Sequence, residues 1–509
     1  MTQTSRRTFL QLLAAGGLAA PFLAPGRALA AAPDSVAIAW PSDVPSWDPN
    51  QRFAPDAQPI FKLIFDQPLM QAPDLTLIPN VFTAWETSAD GLTMRITMRD
   101  DVKFHDGSPM TMEDVRFTFF DRVQAGEKLD IANTWKKITA FEVTSPTEGT
   151  ITFAAPFPTA PQWLAFMGSF ILPKAHVQKV GIDAFREKPV GSGPYRLVEY
   201  QMNSRMVFEA FPDYWGGAPP VRTITVSVIK DSAARVAAVQ SGAVDLTVNI
   251  PVRDTERLGK TPGLAGEINP ITRVILLQSR NDLAFADPNV RLAAHHAIDK
   301  AALSKAFYGG AAVPLSVVAT PGSPGDVPDY RFAYDPEKAK ALLAASGFST
   351  ANPAKFTLAT TNGHFPADHD IARALLQMWK KVGIEAELEI IEYAKYFELN
   401  RGGKLPEATL YSWDNATADP EIFSGYLLNP KMPFSAWKGE TPGDVLPALF
   451  AEPDYAKRIE GYRALNQQAT EMGATIPILQ SVQTLVRKEG LAYRKYGNGW
   501  VLGDTMNWS

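Results

Sequence analysis

The chain has 509 residues, 46% of them hydrophobic and 20% charged, which is globular composition in a length that calls for more than one hydrophobic core. Its formal charge of -5 leaves no basic field to neutralise a phosphate backbone, so nucleic acid is not an expected partner. Cysteine is absent, which excludes disulfides, thiolate metal sites, a cysteine nucleophile and a lipid-modified cysteine.

Residues 1–30 read as an export signal. Arg6 and Arg7 precede Phe9 and Leu10, an apolar run follows from Leu12 to Leu23, and Ala28-Leu29-Ala30 supplies a small-x-small cleavage site. The paired arginines fit the twin-arginine type. The run is shorter than the roughly 20 residues a spanning helix needs, and Pro21 interrupts it. Removing Arg6, Arg7 and Arg27 with this segment takes the formal charge from -5 to -8. A periplasmic protein that is neither membrane-spanning nor lipid-anchored is expected.

From about 60 to 185 the pattern predicts antiparallel strands with helices. Asp90-Gly91 is a hairpin signal before alternating Leu92, Met94, Ile96 and Met98, and Thr111 with Asp114 predicts a capped helix start. Two βαβ patterns lie further on. In the first, the strand Thr223–Ile229 precedes a helix capped by Asp231 and ended by Gly242, and a strand resumes over Val244–Ile250. Asp287-Pro288 and Asp335-Pro336 each predict an N-cap with proline in the first turn.

The second pattern begins with a strand over Phe356–Thr360. It continues through a helix carrying Ile371, Leu375, Met378 and Val382, a strand over Ile384–Ile391, a helix over Tyr393–Asn400 and a strand over Ala408–Ser412. Ligands of open α/β sheets sit beyond the carboxyl ends of the strands. Tyr411–Phe423 (YSWDNATADPEIF), rich in aromatic and acidic groups, lies at such an end.

No catalytic motif is present. The six histidines show no i, i+4 metal-site pair, and His364 and His369 read as a solvated loop. There is no nucleophile elbow, phosphate loop or dinucleotide fingerprint, and Glu113 with Asp114 reads as helix-start charge. Trp40, Trp47 and Trp413 fall at or just beyond predicted strand ends, where a ligand role gains weight for Trp413. Asp419-Pro420 reads first as a helix cap.

A set of motifs in one order resembles the signature of the family 5 extracellular solute-binding proteins, the dipeptide, oligopeptide and nickel-binding class. These are Trp85–Leu92 (WETSADGL), Arg99–Gly107 (RDDVKFHDG), Thr111–Val115 (TMEDV), Gly191–Tyr195 (GSGPY), Tyr214–Gly217 (YWGG), Gln240–Asp245 (QSGAVD), Asp287–Arg291 (DPNVR) and Ala297–Lys300 (AIDK). The resemblance implies an α/β, two-lobed periplasmic-binding-protein clamshell (type II, cluster C-like) with an extra α+β subdomain on the first lobe. The implied division is 31–60 and 186–266 for lobe one, 61–185 for the subdomain, 267–480 for lobe two and 481–509 returning to lobe one. It further implies a binding protein with no catalytic role, cofactor or metal, a monomer that captures a small-molecule or peptide ligand and hands it to ABC permease subunits. A nickel-type chelate carrier is the alternative within the family, and a secreted hydrolase the alternative outside it.

The ligand residues implied are Trp413, Asp414, Asn415, Ala416 and Tyr411 at the strand end, Asn362 in the loop before the helix, and Trp47 closing from lobe one. Two departures matter. Dipeptide binders of the family carry an aspartate for the peptide ammonium where this chain has Ala416. They also carry an arginine for the carboxylate in the loop that here reads Thr360–Pro366 (TTNGHFP). A desolvated charge without a partner costs several kcal/mol, which argues against a free dipeptide. Asp414 standing in for the lost carboxylate is a minor expectation.

Overall fold

The computed structural model describes residues 34–414, 417, 419–432, 435–439 and 441–509, with the side chains of 394, 397, 401 and 414 excepted. The export segment, Asn415, Ala416 and the side chain of Asp414 therefore lie outside the described residues. No helix among the described residues is long and apolar enough to cross a membrane.

In chain order the strands that build the two lobes and the subdomain are β1 (Ser35–Trp40), β2 (Phe82–Thr87), β3 (Thr93–Met98), β4 (Ile138–Ser145), β5 (Glu148–Phe153), β6 (Tyr195–Gln201) and β7 (Arg205–Ala210). They continue with β8 (Thr223–Val228), β9 (Leu246–Val248), β10 (Leu264–Ser279), β11 (Ala354–Thr360), β12 (Ile384–Ile390), β13 (Ala408–Asp414) and β14 (Thr475–Lys488). Ten of them form one sheet in the order β12-β11-β13-β10-β14-β9-β1-β8-β7-β6. The long β10 and β14 pair antiparallel from Leu264 opposite Lys488 to Gln278 opposite Thr475. Their register breaks between Pro270 and Val274, where proline has no N–H to give the ladder.

The subdomain is a four-stranded antiparallel sheet, β2-β3-β5-β4. Its first hairpin turns at Gly91, whose φ of 68 suits glycine. The capping box at Thr111 is present: its backbone N–H donates to the Asp114 carboxylate at 2.8 Å.

Both βαβ patterns form, with one difference. Asp231 caps α1 (Ser232–Gln240) by accepting from Ala234 N at 2.7 Å, but β8 and β9 do not pair; β1 lies between them, parallel to both. In the second pattern, α2 (Asp368–Lys380) buries Ile371, Leu375 and Trp379, α3 (Tyr393–Arg401) follows β12, and β13 lies parallel to β11. The N-caps at Asp287 and Asp335 form through their carboxylates.

The shared motifs mostly build scaffold. A Cβ on Gly191 would stand 2.0 Å from Ile64 O, so only glycine lets the GSGPY strand approach. Tyr214 and Trp215 of YWGG both donate to the buried Asp66 carboxylate, at 3.2 and 3.1 Å. Asp245 of QSGAVD accepts from Ala37 N at 2.7 Å and pairs with Lys488 at 2.6 Å, tying α1's exit to β1 and β14.

Candidate functional site

Strand β13 carries Tyr411 and Trp413, two residues apart and so on one face of the sheet. Tyr411 is buried, and its ring stacks on Tyr396 of α3 at 4.0 Å and 9°, and on His364 at 5.2 Å and 13°. His364 stacks in turn on Tyr393 at 4.1 Å and 21°. These near-parallel rings form a rigid slab on the cleft side of lobe two. Trp413 stands at its edge, half-buried, 6.3 Å from Tyr411 at 73°.

Facing the slab is a cavity of about 70 Å³. Lobe two supplies Tyr396, Asn400, Tyr411, Trp413, Ile422 and Tyr426 to its wall. The opposite wall comes from Phe53 and Pro55 after β1 and from Trp163, Phe166 and Met167 of the subdomain. Trp163 and Tyr426 close one end, with centroids 5.6 Å apart. The cavity therefore lies between the lobes, at the carboxyl end of β13.

Beside it a polar contact also joins the lobes. Asp56 of lobe one lies 3.7 Å from Arg273 on β10 and 3.5 Å from His364 Nδ1 in lobe two. Trp40 Nε1, at the end of β1, donates to Asp56 O at 2.9 Å and fixes that loop. Burial pushes the His364 imidazole down to about 4, against the opposing pull of Asp56, so the ring is neutral at physiological pH. A second bridge joins the subdomain to lobe two: Thr159 Oγ1 donates to Glu421, with Lys137 Nζ 3.9 Å away. Burial raises the Glu421 carboxyl.

The expected residues have different fates. Tyr411 and Trp413 line the cavity. Asp414 ends β13 with its backbone opposite Arg273, while Asn415 and Ala416 fall outside the described residues. Asn362 is exposed in the loop after β11. Trp47 is only 3% exposed and sits in the core of lobe one, against Phe61, Tyr200 and Phe208, which leaves no ring face for a ligand. His364 is a correction to the solvated loop expected from the sequence: it is buried, because the aromatic slab encloses it. Asp419 caps through Glu421 N at 3.0 Å and also pairs with the buried Arg458 at 3.0 Å.

Tyr393 and Tyr396, three apart on α3 and facing β13, are the site residues that their own spacing signals. Asp56, Phe53, Trp163 and Tyr426 reach the cleft only through tertiary packing.

Residues 76–432 match the family model described as bacterial extracellular solute-binding proteins, family 5 middle. The chain belongs to this family. Among curated relatives, the dipeptide-binding protein of Escherichia coli K12 is 27% identical, the match covering 82% of this chain and 83% of the relative. The nickel-binding periplasmic protein of the same organism is 28% identical, covering 97% of each. Among solved structures, the periplasmic binding protein DppA from Helicobacter pylori in complex with peptide STSA superposes with a TM-score of 0.85 at 21% identity, covering 93% of this chain and 98% of that one. That superposition places the fold among two-lobed family 5 clamshells, and the family and the relatives so named are binding proteins.

Proposed function

We propose that this chain is the solute-capturing component of an ABC importer, exported through residues 1–30 and working in the periplasm without catalysing a reaction. The observation that carries the reading is the cavity walled by both lobes, with an aromatic slab on one side and residues of lobe one and the subdomain on the other. A solute that touches both walls binds the closed form more tightly than the open one, and that difference drives closure. The closed clamshell is the form a membrane permease recognises. The dipeptide and nickel cargo named for the relatives belongs to those proteins. Here the loop Thr360–Pro366 has no arginine and Ala416 no charge, which supports an organic solute other than a free dipeptide.

The test is a thermal-shift screen of the purified protein over peptides, sugars, opines and aromatic acids. A ligand at about 100 times its Kd stabilises by roughly 2.7 kcal/mol, a rise of a few degrees or more. Silence across a panel of that breadth overturns the binding role.

A further inference from the structure

The chemistry of the cavity wall narrows the solute. Among the described lining residues none carries a charge at neutral pH: the wall is phenyl, indole, phenol, proline, methionine and isoleucine, with the Ser412 hydroxyl and the Asn400 amide as its other polar groups. Asn400 is itself occupied, its Nδ2 donating to Tyr396 OH at 3.3 Å. Charged groups beside it are partnered inside the protein: Asp56 lies 3.7 Å from Arg273, and Glu421 accepts from Thr159 with Lys137 3.9 Å away. An ionised group brought into such a box gives up water and gains no counter-charge, which selects against it.

Shape narrows it again. A volume of about 70 Å³ holds roughly five to seven water-sized groups, the size of one ring with a small substituent and less than a dipeptide. Tyr411 and Tyr396 are buried against one another, while Trp413 at the edge of their stack is only half-buried and leaves indole surface at the cavity. Flat π-surfaces receive flat rings by offset or edge-to-face packing.

Resting on the reading that the cleft captures a solute, we infer that it buries one uncharged ring of its ligand. The ligand is thus an aromatic or cyclic organic molecule whose polar groups, if any, lie outside this box. Trp413 selects for the ring through its uncovered indole surface, and Met167 and Ile422 limit its size.

The test is a titration of the full mature protein, followed by ligand-observed NMR and calorimetry, with single-ring probes that differ in charge: benzamide, benzoate and benzylamine at pH 7.5. Glycylglycine and the nickel–histidine complex serve as other solutes. Benzamide is expected to bind saturably and at least roughly tenfold more tightly than either charged ring. Met167→Trp, which fills the cavity, and Trp413→Leu, which strips its margin, should each abolish benzamide binding while keeping a cooperative melt. Benzoate or benzylamine binding as tightly as benzamide overturns the inference, as does benzamide binding that survives both substitutions. If a non-ring solute raises the melting temperature and no ring binds, the ring inference falls and the capture role stands. If neither class binds, both fall.

Discussion

Trp47 and Trp413 sit in aromatic clusters of similar composition that do opposite things. Around Trp47 the rings meet edge to face, Tyr200 at 5.2 Å and 86° and Phe61 at 6.4 Å and 77°, so each ring closes off its neighbour's face and the indole is left 3% exposed. Around Tyr411 the rings lie nearly parallel, within 9° of Tyr396 and 13° of His364, and Trp413 at the edge of that buried stack stays half-buried. Both kinds of packing cover aromatic surface, and the difference lies at Trp413, which its neighbours leave half-buried where Trp47 is enclosed. Trp47 is a core residue, and Trp413 is the one our proposal gives to the ligand.

The sharpest way to break this contrast is to truncate both indoles. Trp47→Ala should cost about 3–5 kcal/mol of stability, read as a lowered denaturant midpoint, and leave ligand affinity of the folded protein nearly unchanged. Trp413→Ala should do the reverse, weakening ligand binding by about 2 kcal/mol or more, some thirtyfold in calorimetry, with a small loss of stability. Equal effects of the two changes on affinity would erase the distinction between core and contact.

Acid sharpens it further. His364 is held neutral, its pKa pushed from 6.5 down to about 4 by burial among the rings of its own lobe. Unfolding exposes the imidazole and lets it take a proton, so the folded form binds fewer protons than the unfolded one. Its contribution to stability is complete above pH 6.5 and drains away as pH falls toward 4, at no more than about 1.4 kcal/mol per unit. The melting temperature should therefore fall between pH 7.5 and 5.5, and His364→Phe should lessen that fall. His105, also pushed down to about 4 by burial, accepts from Gly191 N at Nδ1 and donates from Nε2 to Gly193 O, so it loses stability over the same pH range.

Much of the scaffold was legible because its signals are local. Asp231, Asp287 and Asp335 cap the helices they precede, Thr111 and Asp114 form their box, and the strand–helix alternation from Phe356 to Ser412 is present in order. The pairing of β8 and β9 was not legible, since nothing near residues 223–250 shows that β1, nearly 200 residues earlier in the chain, inserts between them. The candidate site divides the same way. Period-2 alternation at a strand's carboxyl end singles out Tyr411 and Trp413. It says nothing about which partners surround a tryptophan, and the rings that bury Trp47 come from positions 61, 200 and 208. His364 looked solvated between Gly363 and Pro366 because the tyrosines that enclose it lie on α3 and β13.

The measurement that bears most directly on solute capture is native mass spectrometry of the protein purified from its native host, beside the Trp413→Ala form. Capture between the lobes predicts a small organic mass retained by the unmodified protein under gentle ionisation, released on denaturation, and missing from the substituted form. The same small molecule carried equally by both forms, or an unmodified protein that arrives bare and takes up no solute from a broad panel, would contradict it.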